Sequence, residues 1–115
     1  MASLSMALPV KPDQAARLRA FCEEVIGSRR SEFEESEQRL GLTREGWYLQ
    51  RTPMGDLAII WMEGPDLVAS LASFIQSRAP FDVWFKWQVA EITGVDLNQP
   101  PDDMPEVLFD WSAPR

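Results

Sequence analysis

The chain has 115 residues, 45% of them apolar, and 18 acidic against 11 basic side chains, giving a net charge of −7 with no histidine. That length suits one compact domain over 1–115 with a core of its own, and an acidic balance without a basic stripe argues against a nucleic-acid partner. The single cysteine, Cys22, excludes an intramolecular disulfide framework, and the lack of histidine excludes a heme with a proximal histidine and a Ser-His-Asp triad, and with one cysteine leaves no zinc site.

The first strand is predicted over residues 3–9, where Leu4, Met6 and Leu8 alternate with Ser3, Ser5 and Ala7. No basic segment precedes it, the first lysine being Lys11, so a secretory leader is not expected. Lys11-Pro12-Asp13 breaks the strand and starts a helix whose inner stripe is Leu18, Phe21, Cys22, Val25 and Ile26. Cys22 lies on that stripe with no base beside it, which reads as packing rather than as a reactive thiol. Gly27 interrupts the helix, and Arg29–Leu40 continues it with many charges and two apolar anchors, Phe33 and Leu40. Mixed charges of this kind read as a solvated helix face.

A hairpin comes next. Trp47, Leu49 and Arg51 alternate with Tyr48, Gln50 and Thr52, Pro53-Met54-Gly55-Asp56 turns the chain, and Leu57–Met62 returns as a strand apolar on both faces. Such a strand belongs in the middle of a sheet. Its six apolar residues are the longest such run, far short of the ~20 a membrane span needs, so the sequence predicts a cytoplasmic protein with no membrane partner. Glu63-Gly64-Pro65-Asp66 opens a further helix through Leu67, Val68, Leu71, Phe74 and Ile75, and Arg78-Ala79-Pro80 separates it from a last helix over 81–93. Gly94 closes that helix, residues 94–105 with three prolines form an extended connection, and 106–112 is predicted as a last strand carrying Val107, Phe109 and Trp111.

The order β-α-β-β-α(α)-β predicts an α+β, ferredoxin-like fold: a four-stranded antiparallel sheet with helices on one face. The helical segments cover that one face and leave the other, of order 350 Å² for four strands of typical length, without a cover. This approaches the largest apolar patch a monomer usually carries. A homodimer packed through the sheet face is therefore expected, the alternative cover being the 94–105 segment.

The element order, Lys11-Pro12-Asp13 and the stretch Pro80-Phe81-Asp82-Val83-Trp84-Phe85-Lys86, followed by Gly94-Val95-Asp96-Leu97 and the terminal Val107-Leu108-Phe109-Asp110, resemble an uncharacterised bacterial domain-of-unknown-function family of the dimeric α+β barrel superfamily. The resemblance implies two subunits closing a shared barrel, each with a small cavity between sheet and helices. It implies no reaction, because the superfamily spans cofactor-free oxygenases, heme-degrading enzymes, isomerases and proteins without known activity.

The carboxylate groups Asp102-Asp103 and Glu32, Glu34, Glu35 and Glu37 lack the spacing of a calcium loop and read as acidic surface, so neither a metal nor a cofactor is expected. The remaining constellation depends on strand parity. If Trp47, Leu49 and Arg51 share a face with Leu57, Ile59, Trp61 and Glu63, an aromatic cavity gains an Arg/Glu pair at its mouth. Arg51 then holds an anion and Glu63 acts as a general base, or the two form an ordinary rim ion pair. Asp82 either caps the last helix or makes a polar contact in a pocket beside Trp84 and Lys86. Two functions are open, and the first is favoured because no residue set demands catalysis: a non-catalytic homodimeric module holding a small aromatic or anionic ligand, or a cofactor-independent enzyme acting on a small aromatic or keto substrate.

Overall fold

A computed structural model describes residues 2–115. The elements are β1 (Ala2–Val10), α1 (Ala15–Ile26), α2 (Arg30–Leu40), β2 (Arg44–Thr52), β3 (Gly55–Gly64), α3 (Leu67–Gln76) and α4 (Pro80–Thr93). The strands form one antiparallel sheet in the order β1-β3-β2, so the strand apolar on both faces is the central one, as its composition predicts. Pro9 is tolerated because β1 is an edge strand and its missing N–H need not pair.

Local chemistry accounts for the boundaries. Gly27 separates α1 from α2, and Gly41 ends α2 in the left-handed region (φ 78°), where its own N–H and that of Leu42 reach the carbonyls of Gln38 and Glu37. The Asp66 carboxylate caps α3 by accepting from the Ala69 N–H at 3.1 Å. Pro80 occupies the first turn of α4, and Lys11 N–H, just past β1, donates to the Ile92 carbonyl at 2.9 Å, tying the strand to that helix.

The core lies between the sheet and the helices. Leu8, Val10, Ala58, Ile60 and Met62 meet Leu18, Phe21 and Val25 of α1 and Phe81, Phe85, Val89 and Ile92 of α4. Phe85 is its aromatic centre, with ring centroids of Phe21, Trp47, Phe74 and Phe81 at 5.0, 5.8, 5.8 and 5.9 Å. Cys22 packs against this core; burial, and then the charge of Glu45, push its thiol up to about 11, which keeps it an unreactive hydrophobe at neutral pH.

The sheet corrects two expectations. Three strands are present rather than four: residues 106–112 have no regular structure, and Val107, Leu108, Phe109 and Trp111 are 69, 84, 88 and 75% exposed. Residues 95–104 instead place Val95 and Leu97 against the core and Met104 at the edge of a cavity, and residues 105–115 pair with no strand among the described residues. An alternating apolar pattern becomes a strand only where a ladder partner and a covered face are both supplied.

The second correction concerns parity. The hairpin loop is two residues, Pro53-Met54, and Thr52 pairs with Gly55, so odd-numbered residues of β2 face even-numbered residues of β3. Trp47 stands opposite Ile60 and Leu49 opposite Ala58, on the helix-covered face. Leu57, Ile59, Trp61 and Glu63 project to the other face, which contributes nothing to the core cluster. No helix of the described residues is long and apolar enough to cross a membrane.

Candidate functional site

Parity dissolves the anticipated Arg/Glu pair. Arg51 lies beside the hairpin loop and forms an ion pair with Asp56 at 2.8 Å, whereas Glu63 lies at the far end of β3 and on the opposite face. There it accepts from the Trp61 indole N–H at 2.7 Å and approaches Arg44 at 3.4 Å. Trp84 is on the outside of the core, stacked under the Arg29 guanidinium at 4.1 Å and against Phe21 and Phe81. Of the residues proposed from sequence as catalytic or ligand-binding, Trp47 alone lines the cavity between the sheet and the helices.

That cavity has a volume of about 130 Å³. Its walls are mostly apolar and aromatic, among them Met6, Trp47, Ile60, Phe74, Phe85 and Leu97. A void of this order, lined by apolar side chains, has room for about one aromatic ring. Residues 95–104, through Leu97 and Met104, form part of its boundary.

Two carboxyl groups enter this apolar space, Glu37 from α2 and Glu45 from the first residues of β2. They share a hydrogen bond with each other, and Glu45 Oε2 also accepts from the Trp47 indole N–H at 2.7 Å. Burial, then the Glu45 charge and the shared hydrogen bond, push Glu37 up to about 9, so it is a carboxylic acid at neutral pH. Burial also raises Glu45, while the bonds it accepts from Glu37 and Trp47 oppose that rise. The arrangement is a coupled pair of carboxyl groups, both pushed upward by burial and joined by a hydrogen bond.

Glu37 is flanked by a hydrogen-bonded support that reaches the cavity lining through Ser36. Asp82, 0% exposed on the first turn of α4, accepts from Ser36 Oγ at 2.6 Å, Arg39 Nη1 at 2.9 Å and Ser77 Oγ at 2.5 Å. Burial pushes the Asp82 carboxyl up, but the bonds from Arg39, Ser36 and Ser77 outweigh it and hold it below the ordinary range. Asp82 therefore neither caps its own helix nor enters a ligand pocket beside Trp84; it crosslinks α2 to the α3–α4 connection. Lys86, 2% exposed, reaches the carbonyls of Ile75 and Ser77 at 3.1 Å and Asn98 Oδ1 at 3.2 Å, anchoring the segment that bounds the cavity.

Glu37 and Glu45 are functional candidates that composition alone passes over, since Glu37 sits inside a charge-rich stretch. The signal is positional. Phe33, Ser36, Glu37 and Leu40 share one side of α2 at helical spacing, and Glu45 alternates with Trp47 and Leu49 on the inward face of β2. Each is a charge at a position that patterning reserves for the core.

Among the described residues, no group of three or more His, Cys, Asp or Glu side chains is placed to hold a metal. No family model matches the chain, and no curated protein does, so the family named from Pro80–Lys86 and Gly94–Leu97 gains no support from a match. Among solved structures the chain is similar to tetracenomycin F2 cyclase from Streptomyces glaucescens, a type-II polyketide cyclase. The identity is 20% and the TM-score 0.63, over 99% of this chain and 100% of that one. The likeness is one of fold, and it agrees with a ferredoxin-like α+β arrangement of four helices on an antiparallel sheet.

Proposed function

We propose that the chain is a cofactor-independent acid–base catalyst acting on a small, neutral aromatic or keto compound seated in the cavity beside Glu37 and Glu45. The observation that carries this reading is the hydrogen-bonded carboxyl pair in an otherwise apolar, aromatic-walled space. A half-buried pair of this kind in apolar surroundings is costly as a structural element and useful as a proton relay. The solved structure similar in fold is a type-II polyketide cyclase, an analogy compatible with this reading. The anionic ligand expected from sequence is disfavoured, because Arg51 is remote, Arg39 is engaged by Asp82, and the cavity presents acids to its occupant.

For an enolisable ketone, the Glu45 carboxylate takes a proton from the α-carbon, and the electrons of that C–H bond form the enolate. In a substrate with a second carbonyl, the enolate carbon forms a C–C bond to that carbon, whose oxygen takes the proton of the Glu37 carboxylic acid. The C–C bond closes the ring as a β-hydroxy ketone, and the proton gained by Glu45 returns to Glu37 across their hydrogen bond, which restores the pair. Deuterium exchange tests the first step: acetophenone in D₂O at neutral pH, with the methyl protons followed by NMR. The expected result is exchange above the buffer rate that is lost in Glu45→Gln and Glu37→Gln. Ring binding without exchange returns the chain to the non-catalytic module, and no binding overturns both readings.

The same reading includes a homodimer. The outward sheet face carries Tyr48, Leu57, Ile59 and Trp61, and residues 106–112 leave four large apolar side chains exposed. A stable interface buries ~800 Å² per partner, more than the face of a small sheet supplies. The terminal segment adds what the face lacks, and a second copy has both surfaces to offer in return. Native mass spectrometry is expected to find twice 13.1 kDa for the wild type and the monomer for Trp61→Glu; a monomeric wild type overturns the dimer.

A further inference from the structure

We infer that Asp82 is a positioning residue for the Glu37/Glu45 pair, holding the turn of α2 that carries Glu37 against the cavity and placing a fixed negative charge behind it. This rests on the reading of that pair as the acid–base site. Asp82 takes three hydrogen bonds, and two of their donors, Ser36 and Arg39, bracket Glu37 on α2. The third, Ser77, belongs to the α3–α4 connection, so the carboxylate binds α2 to a second part of the helical layer. On α2 the apolar anchors are Phe33 and Leu40, and a helix so sparsely anchored needs a polar tether to hold one side chain in register. Complete burial of an ionised carboxylate requires such a full set of donors, and this one is spent beside the proposed acid rather than elsewhere in the core.

The charged groups around Glu37 are Glu45 from β2, Asp82 from α4, Arg39 on its own helix, and Asp96, which lines the same cavity from the segment after α4. Lys86 of α4 is directed to Ile75, Ser77 and Asn98. Asp82 thus adds to the burial and the Glu45 charge that keep Glu37 protonated, with Arg39 partly offsetting it.

The test is a titration of the ligand-free protein with ¹³C-labelled glutamate, following the side-chain carboxyl carbons of Glu37 and Glu45 by NMR. Asp82→Asn keeps an oxygen for the donors and removes the charge; the upper apparent pKa of the pair is expected to fall by roughly half a pH unit or more. Arg39→Gln, a change on a partly exposed side chain, is expected to raise it, and serves where Asp82→Asn does not fold. Asp82→Glu, which keeps the charge, is expected to restore the titration toward the wild type. A purely structural Asp82 lowers stability in these variants but leaves the titration of the folded pair where it was, and that result overturns the inference. Because no substrate is present, a failed deuterium-exchange experiment removes the catalytic reading without touching this readout.

Discussion

Trp47 donates its indole N–H to Glu45 at 2.7 Å, and both side chains project from the same face of β2 into the cavity. The strand's alternation thus supplies the acid pair with an indole donor and one of its aromatic walls together. Replacing the donor while keeping an aromatic ring separates these roles. Trp47→Phe is expected to lower stability by about 1–2 kcal/mol, since the lost bond goes to a charged acceptor, and to raise the apparent pKa of the pair. Urea unfolding and the glutamate titration check the two effects.

The protonated state of Glu37 sets a slope of stability against pH. Its carboxyl titrates near 9 in the folded chain against 4.5 as a free side chain, so the folded state holds a proton that the unfolded state releases across that window. The contribution is fully present below pH 4.5 and is lost as pH rises toward 9. Glu37→Gln removes the titration. Its stability is expected to gain on the wild type with rising pH, at up to about 1.4 kcal/mol per pH unit, as measured by urea unfolding at a series of pH values.

Asp82 has the opposite sign. Its folded pKa is held below the ordinary 3.8, so its contribution is present above that value and is lost as pH falls through the lowered one. Asp82→Ala leaves two serine hydroxyls and Arg39 without their acceptor. The expected loss at neutral pH is about 2–4 kcal/mol, tempered because the Arg39 head is about one-third exposed. Thermal unfolding at neutral pH and at pH 3 checks both the loss and its decline in acid.

Phe85 lies within 6 Å, ring centre to ring centre, of four aromatic neighbours and also lines the cavity. Phe85→Ala is expected to cost about 3–5 kcal/mol, with the cavity enlarged rather than filled. Denaturant unfolding gives the cost; a rise in affinity for a ring larger than benzene checks the enlargement.

How much of this was legible in the sequence depends on the range of the interactions involved. The helix breaks at Gly27 and Gly94, the helix start at Glu63-Gly64-Pro65-Asp66 and the central place of the Leu57–Met62 strand stem from local chemistry and burial pattern, and the fold agrees with them. The site was misplaced by one residue of register. A two-residue loop sends Trp61 and Glu63 away from Trp47, where an odd-length loop puts them together, and residue identities in Pro53-Met54-Gly55-Asp56 admit either count. Glu45 fell outside the predicted strand, which extends to Arg44 because the far end of β3 offers it a ladder partner.

By itself, then, the sequence determined the elements from β1 to α4 and their order, since periodicity, caps and turns act over a few residues, but its alternating pattern over 106–112 found no ladder partner and formed no strand. The tertiary structure decided which polar groups are brought together: Glu37 and Glu45 lie on different elements, and Asp82 meets Ser36 across 46 positions of chain. Proton affinity depends on desolvation and on neighbours within a few ångströms, and neither exists until the chain has folded.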